Sequence, residues 1–246
     1  MKRPLPTLAL LASCALPPAT DAATYRVVPV EDAGSISGRV SFQGQDPAPR
    51  RYTVAKDADS CGTGTRLIDF VRVNNGGLGD AVVYLHKIES GKDFPAGLEG
   101  AELDQQGCVF KPFLGVMKDG GVLTVKNSDP VLHNIHTYEI IGRAKKTVFN
   151  ISQPADLKTI DKRIRLRRGT AMKVECDAHD FMHAFTFVAK NPYFAVVDEN
   201  GNFRIDDVPP GSYKIRAWHG ILGEKKGTVT VEAGGTARID FVFKGK

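Results

Sequence analysis

Between two runs of strand character, the stretch Val174–Phe185 reads V-E-C-D-A-H-D-F-M-H-A-F and places Cys176, His179, Met182 and His183 close together. No other segment so restricts what the chain can become. Thiolate, imidazole and thioether donors are the soft-to-borderline ligands that copper prefers. A trigonal His₂Cys set with a weak axial Met is one established way to hold that metal. Cys-x-x-His-x-x-Met supplies three of those four donors from a single loop. The fourth must come from a neighbouring loop at the same end of the fold, so distant strand ends have to meet.

His133 is the candidate for that fourth donor. Leu123-Thr-Val-Lys-Asn-Ser-Asp-Pro-Val-Leu-His133-Asn134 reads as a strand entering an Asn/Ser/Asp/Pro turn, with His133 opening the next element. This order, with Cys176-x-x-His179-x-x-Met182 downstream, resembles a cupredoxin from about Val109 to Lys190, and the ligand loop is similar in spacing to the short amicyanin type. The resemblance implies one copper ion held by His133, Cys176, His179 and Met182. It also implies an Asn134 side chain that ties the two ligand loops together, and an exposed His179 as the exit for an electron. His183 is an alternative axial group or an exposed residue. His136, three residues past His133, faces the other side of a strand.

The remaining cysteines divide by context. The chain opens Met-Lys-Arg, runs apolar from Leu5 to Leu16 and continues Pro17-Pro18-Ala-Thr-Asp-Ala22. That is the form of an export signal over residues 1–22, and the apolar run is too short to span a bilayer. Leu11-Ala-Ser-Cys14 also matches a lipobox, which would leave Cys14 as a lipid-bearing N-terminus. Either way the protein is expected in the periplasm or outside the cell, or as a lipoprotein on the outer face of a membrane. In an oxidising compartment Cys61 and Cys108, both in turn-like contexts, are expected to pair. Such a bridge stabilises a fold by roughly 4 kcal/mol in the chain-entropy view. Cys176 is then the odd cysteine, left for metal.

The last quarter carries its own signature. Asp198-x-x-Gly201-x-Phe203-x-Ile205-x-x-Val208-Pro-Pro-Gly211-x-Tyr213 resembles the carboxypeptidase-regulatory, or transthyretin-like, β-sandwich. Asn200-Gly201 offers the positive φ of a tight turn. That family opens with a strand of the form I-x-G-x-V, which is missing just before Tyr193 and occurs instead at Ile36-Ser-Gly-Arg-Val40. Ala81-Val-Val-Tyr-Leu85, an unbroken apolar run, is a plausible next strand. The expected fold is therefore all-β. A Greek-key, cupredoxin-like barrel over 100–190 is inserted into a transthyretin-like sandwich split between 23–99 and 191–246. Two consecutive β domains are the alternative.

Net charge is formally +5, and loss of Lys2, Arg3 and Asp21 with the signal lowers it by one. Basic residues gather at Arg143-Ala-Lys-Lys146 and Lys162-Arg-Ile-Arg-Leu-Arg-Arg168, where Ile164 and Leu166 alternate with arginines as on a strand with one buried face. These are solvated faces, or a docking patch for an acidic redox partner. Nucleic acid is not expected. The chain has no C-x-x-C-H, no G-x-S-x-G, no H-E-x-x-H and no phosphate-binding glycine loop. The expected function is a mononuclear copper electron carrier rather than an enzyme. The alternative is a non-redox binding, assembly or copper-storage module.

Mass spectrometry of the exported protein should return a chain beginning at or near Ala23, or at a lipid-bearing Cys14. A mass that retains Met1 rules export out.

Overall fold

A computed structural model describes residues 25–245; the expected export segment and Cys14 lie outside them. The described chain is all β apart from the four-residue helix Ala58–Cys61.

One pair of sheets draws on both ends of the chain. The strand Gly34–Gln43, which carries the I-x-G-x-V motif, pairs antiparallel with Asn202–Val208. On its other edge it pairs parallel with Thr236–Arg238 and then with Phe241–Lys244. The facing sheet runs Phe194–Val196, Ala81–Leu85, Gly211–His219, Gly223–Val231. Ile36, Val40, Leu78, Val83, Leu85, Ile215 and Phe241 fill the space between. At the Asp198–Asn202 turn only Gly201 takes a positive φ, of 78°. The Asp198 carboxylate does the rest by accepting the N–H groups of Asn200 and Asn202.

A second pair of sheets is built from residues 100–189. One wall runs Phe110–Lys111, Gly100–Gln105, Val122–Asn127, Thr159–Arg163. The other runs Leu114–Lys118, His183–Ala189, Ala171–Glu175, His133–Ile141, Ala144–Gln153. Leu103, Leu123 and Val125 meet Met117, Ile135, Val174, Ala184 and Val188 between them. Past the end of the Thr159–Arg163 strand the side chains keep alternating, with Ile164 and Leu166 buried and Arg165 and Arg167 exposed.

The two pairs join through a third apolar cluster. Val82, Tyr84 and Trp218 pack against Ala171, Phe185, Phe187 and Ala189. The Ala81–Leu85 strand is thus buried on both faces, which is why its sequence shows no alternation.

Within the stretch 23–99, Arg50–Ile68 makes an excursion. Its hairpin of Arg50–Thr53 and Thr65–Ile68 encloses the short helix. Tyr52, Val54, Cys61 and Ile68 all pack on the core of the 100–189 sheets. Cys61 is bonded to Cys108, with their Cα atoms 5.3 Å apart.

Gly38 faces the crossover between the two C-terminal strands, where an added Cβ would collide with the carbonyl oxygen of Ile239. Gly38→Ala should therefore lower stability by about 1–3 kcal/mol, read as a lower urea midpoint at unchanged m-value. An unchanged midpoint would mean that the crossover can move aside.

Candidate metal centre

The turn before His133 is set by Asn127. Its side-chain oxygen accepts the N–H of Asp129 at 3.1 Å, and its amide donates to the carbonyls of Val131 and Gln153. This aims the Asp129 carboxylate inward, where it accepts the N–H groups of Gly107 (2.6 Å) and Cys108 (2.8 Å). It also lies 2.9 Å from Nε2 of His133, a fully buried ring. Burial pushes the Asp129 carboxyl up, but the two backbone donors and His133 outweigh it and hold the group below the ordinary carboxylate range.

The second loop closes on itself. Cys176 follows the Ala171–Glu175 strand, its N–H donating to the carbonyl of Met182, while the Met182 N–H donates to the carbonyl of His179. The Asn134 N–H donates to Cys176 Sγ at 3.3 Å, and the Asn134 side-chain oxygen accepts the N–H of Asp177 at 3.2 Å. Asn134 thus spans the two loops. Burial pushes the Cys176 thiol up, partly offset by the N–H groups of Asn134, Ala178 and His179. The metal-free site therefore holds a neutral thiol that must release its proton to ligate.

Three donor atoms converge. Nδ1 of His133 lies 3.1 Å from Nδ1 of His179, which is 3.7 Å from Cys176 Sγ; the donor atoms of the three residues all lie within 4.8 Å of one another. Met182 is fully buried in the same apolar cluster as Cys176. His136 points to the other face and contacts Asp177, Thr147 and Tyr138. His183 sits against the rings of Tyr52 and Phe70, its pKa pushed down to about 4 by burial. Neither of these joins the three-donor group.

An exposed His179 is not what the structure contains. The residue is only 2% exposed. Its Nε2 lies 2.9 Å from the carboxylate of Asp57 and 3.8 Å from Cys61 Sγ, both delivered by the Arg50–Ile68 excursion. Sequence reasoning missed both carboxylates. Asp129 stands in the turn already singled out before His133, so its position was a signal. Asp57 lies in a segment with no metal-site spacing at all.

The donor set suits copper in its chemistry, with two imidazole nitrogens and one sulfur in a buried pocket. Each ring presents Nε2 to a carboxylate, so Nδ1 is the nitrogen left facing the sulfur.

A family model, the carboxypeptidase regulatory-like domain, matches residues 188–244. No curated protein matches the chain. Among solved structures, a purple cupredoxin from Nitrosopumilus maritimus is 17% identical, covering 36% of this chain and 99% of that one at a TM-score of 0.30. An amicyanin from Paracoccus versutus is 14% identical, covering 39% of this chain and 86% of that one at 0.31. A copper-containing nitrite reductase from Thermus scotoductus SA-01 is 13% identical, covering 43% of this chain and 25% of that one at 0.29. The chain is thus similar to cupredoxins over part of its length and to the carboxypeptidase regulatory-like family over another part.

Removing the Asp129 side chain would leave three donors without their acceptor, those of Cys108 and His133 buried. Asp129→Ala is expected to cost about 2–4 kcal/mol in the metal-free protein and to weaken copper binding about 10–100-fold. Because the native carboxyl is held low, its stabilisation is present above its unfolded value and disappears as pH falls through the native one. The gap between wild type and variant in urea unfolding should therefore be widest near neutrality and close on acidification. A gap that widens in acid overturns this assignment.

Proposed function

We propose that this is an exported mononuclear copper protein that carries single electrons between redox partners. The observation that carries the reading is the convergence of His133 Nδ1, Cys176 Sγ and His179 Nδ1 in one buried pocket. A copper ion bound there would supply one-electron chemistry, alternating between Cu(I) and Cu(II).

The chain's own part is to hold those donors still and dry. Asn134 donates to the sulfur and bridges to Asp177, so the two ligand loops move as one. Met182, buried at the end of the ligand loop, would be the fourth residue to hold the ion. The exposed basic residues Arg143, Lys145 and Lys146 at the hairpin next to His133–Ile141 suit an acidic partner surface. Among the described residues no helix is long and apolar enough to cross a membrane. A periplasmic or secreted location, with a lipid anchor at Cys14 as the other form, completes the proposal. So does the division into a copper module at 100–190 inserted in a split sandwich of 23–99 and 191–246.

One observation favours a second reading. The burial of His179 beneath the Arg50–Ile68 excursion suits a protein that stores copper rather than passing electrons.

Adding one equivalent of Cu(II) to metal-free mature protein decides the matter. Wild type should turn intensely blue through thiolate-to-Cu(II) charge transfer, bleach with a one-electron reductant and recover on reoxidation. Cys176→Ser should stay colourless, whereas Met182→Leu should keep copper and shift its potential. A colourless wild type defeats the carrier, and a coloured form that will not cycle favours storage.

A further inference from the structure

Deepening the copper reading and resting on it, we infer that Asp57 is a positioning residue of the metal centre. Carried in from outside the 100–189 sheets, its carboxylate holds His179 with the proton on Nε2 and the lone pair on Nδ1, and the disulfide-stapled segment Arg50–Ile68 closes the site behind it.

The local geometry of Asp57 is unusual in a way that this role explains. Asp57 stands at the N-terminal end of the helix Ala58–Cys61, where an aspartate ordinarily accepts an N–H of the first turn through its side chain. Here the side chain makes no such bond. Only the Asp57 main-chain carbonyl accepts the N–H groups of Ser60 and Cys61. The residue sits at φ 50°, in the left-handed region, and its carboxylate goes instead to His179 Nε2 at 2.9 Å. A carboxylate can only accept, so this contact selects the tautomer with hydrogen on Nε2. Nδ1 then carries the lone pair, 3.1 Å from Nδ1 of His133 and 3.7 Å from Cys176 Sγ. His133 is held through Asp129 in the same sense, but Asp129 belongs to the same turn as its histidine, whereas Asp57 is 122 residues from His179.

The segment that delivers Asp57 is tied down three times over, twice to the Gly107–Cys108 turn that donates to Asp129 and once to the ligand loop itself. Cys61, at the end of the short helix, is bonded to Cys108, whose N–H donates to Asp129. The two carboxylates that orient the two histidines are therefore linked through one bridge. Arg66 donates to the carbonyls of Cys61, Gly107 and Cys108. Its guanidinium also lies 4.9 Å over the ring of Phe181, inside the ligand loop. A side chain on a segment so anchored can hold an imidazole in one orientation, which is what a ligand's outer partner must do.

The test uses the full mature chain and the variants Asp57→Ala, Asp57→Asn and Cys61→Ser/Cys108→Ser, with circular dichroism to establish folding. Ring-nitrogen NMR of the metal-free protein should show His179 as a single tautomer, protonated on Nε2, in wild type and Asp57→Asn, whose amide oxygen can still accept. Asp57→Ala should show a mixture. Loaded with Cu(I) and challenged with bathocuproine, Asp57→Ala and the double serine variant should release copper about 10–100-fold faster than wild type, and Asp57→Asn at an intermediate rate. If Asp57→Ala loses thermal stability but keeps the wild-type tautomer and release rate, Asp57 is only a packing contact and the inference fails. Failure of wild type to bind copper at all would instead remove the copper reading, while the tautomer measurement still decides what Asp57 does.

Discussion

Everything around the three-donor pocket depends on a buried carboxylate that is never left short of donors. Asp129 takes N–H groups from Gly107 and Cys108 as well as facing His133. A charge so far from water persists only when it is this well solvated by protein. In return it fixes the ring of His133 and pins the turn that holds Cys108, and through the bridge to Cys61 it anchors the excursion that covers His179. Remove that carboxylate and the turn, the bridge and the covering segment lose their common support.

What the sequence revealed and what it concealed divide along chain separation. The meeting of Cys176 and His179 is legible because one loop carries both, and that of His133 because a turn rich in Asn, Ser and Asp precedes it. The same locality explains why Ile36–Val40 and Ala81–Leu85 read as strands. Asp57 had no such signature, because its meaning lies in a contact across 122 residues. The expectation of an exposed His179 failed for the same reason, since nothing in residues 50–68 announces that they leave one pair of sheets to cover another. The turn at Asp198–Asn202 was legible in place but not in chemistry. Asparagine there keeps an ordinary φ, and an aspartate side chain substitutes for the second left-handed residue.

Both ends of the described chain meet in the first pair of sheets, where Val40 pairs with Phe241 and Gln43 with Lys244. Closing contacts of such sequence separation are slow to form, because the intervening loop must first be brought together. The cost is limited by how near the junctions lie. Leu85 donates its N–H to the carbonyl of Tyr193, and its own carbonyl accepts the side-chain amide of Asn191. Residues 86–190 thus leave and return at almost the same point, which shortens the loop that must be closed.

The seam between the two sheet pairs gives the molecule a built-in optical reporter. Trp218 is the chain's single tryptophan, and it lies 4% exposed in that seam, edge-on to Phe185 and tilted against Phe187. Those two phenylalanines sit on the strand that follows the ligand loop directly. Intrinsic fluorescence therefore watches neither core alone but the apposition of the two. Its emission moves to the red when the halves part, even while each keeps its own sheets.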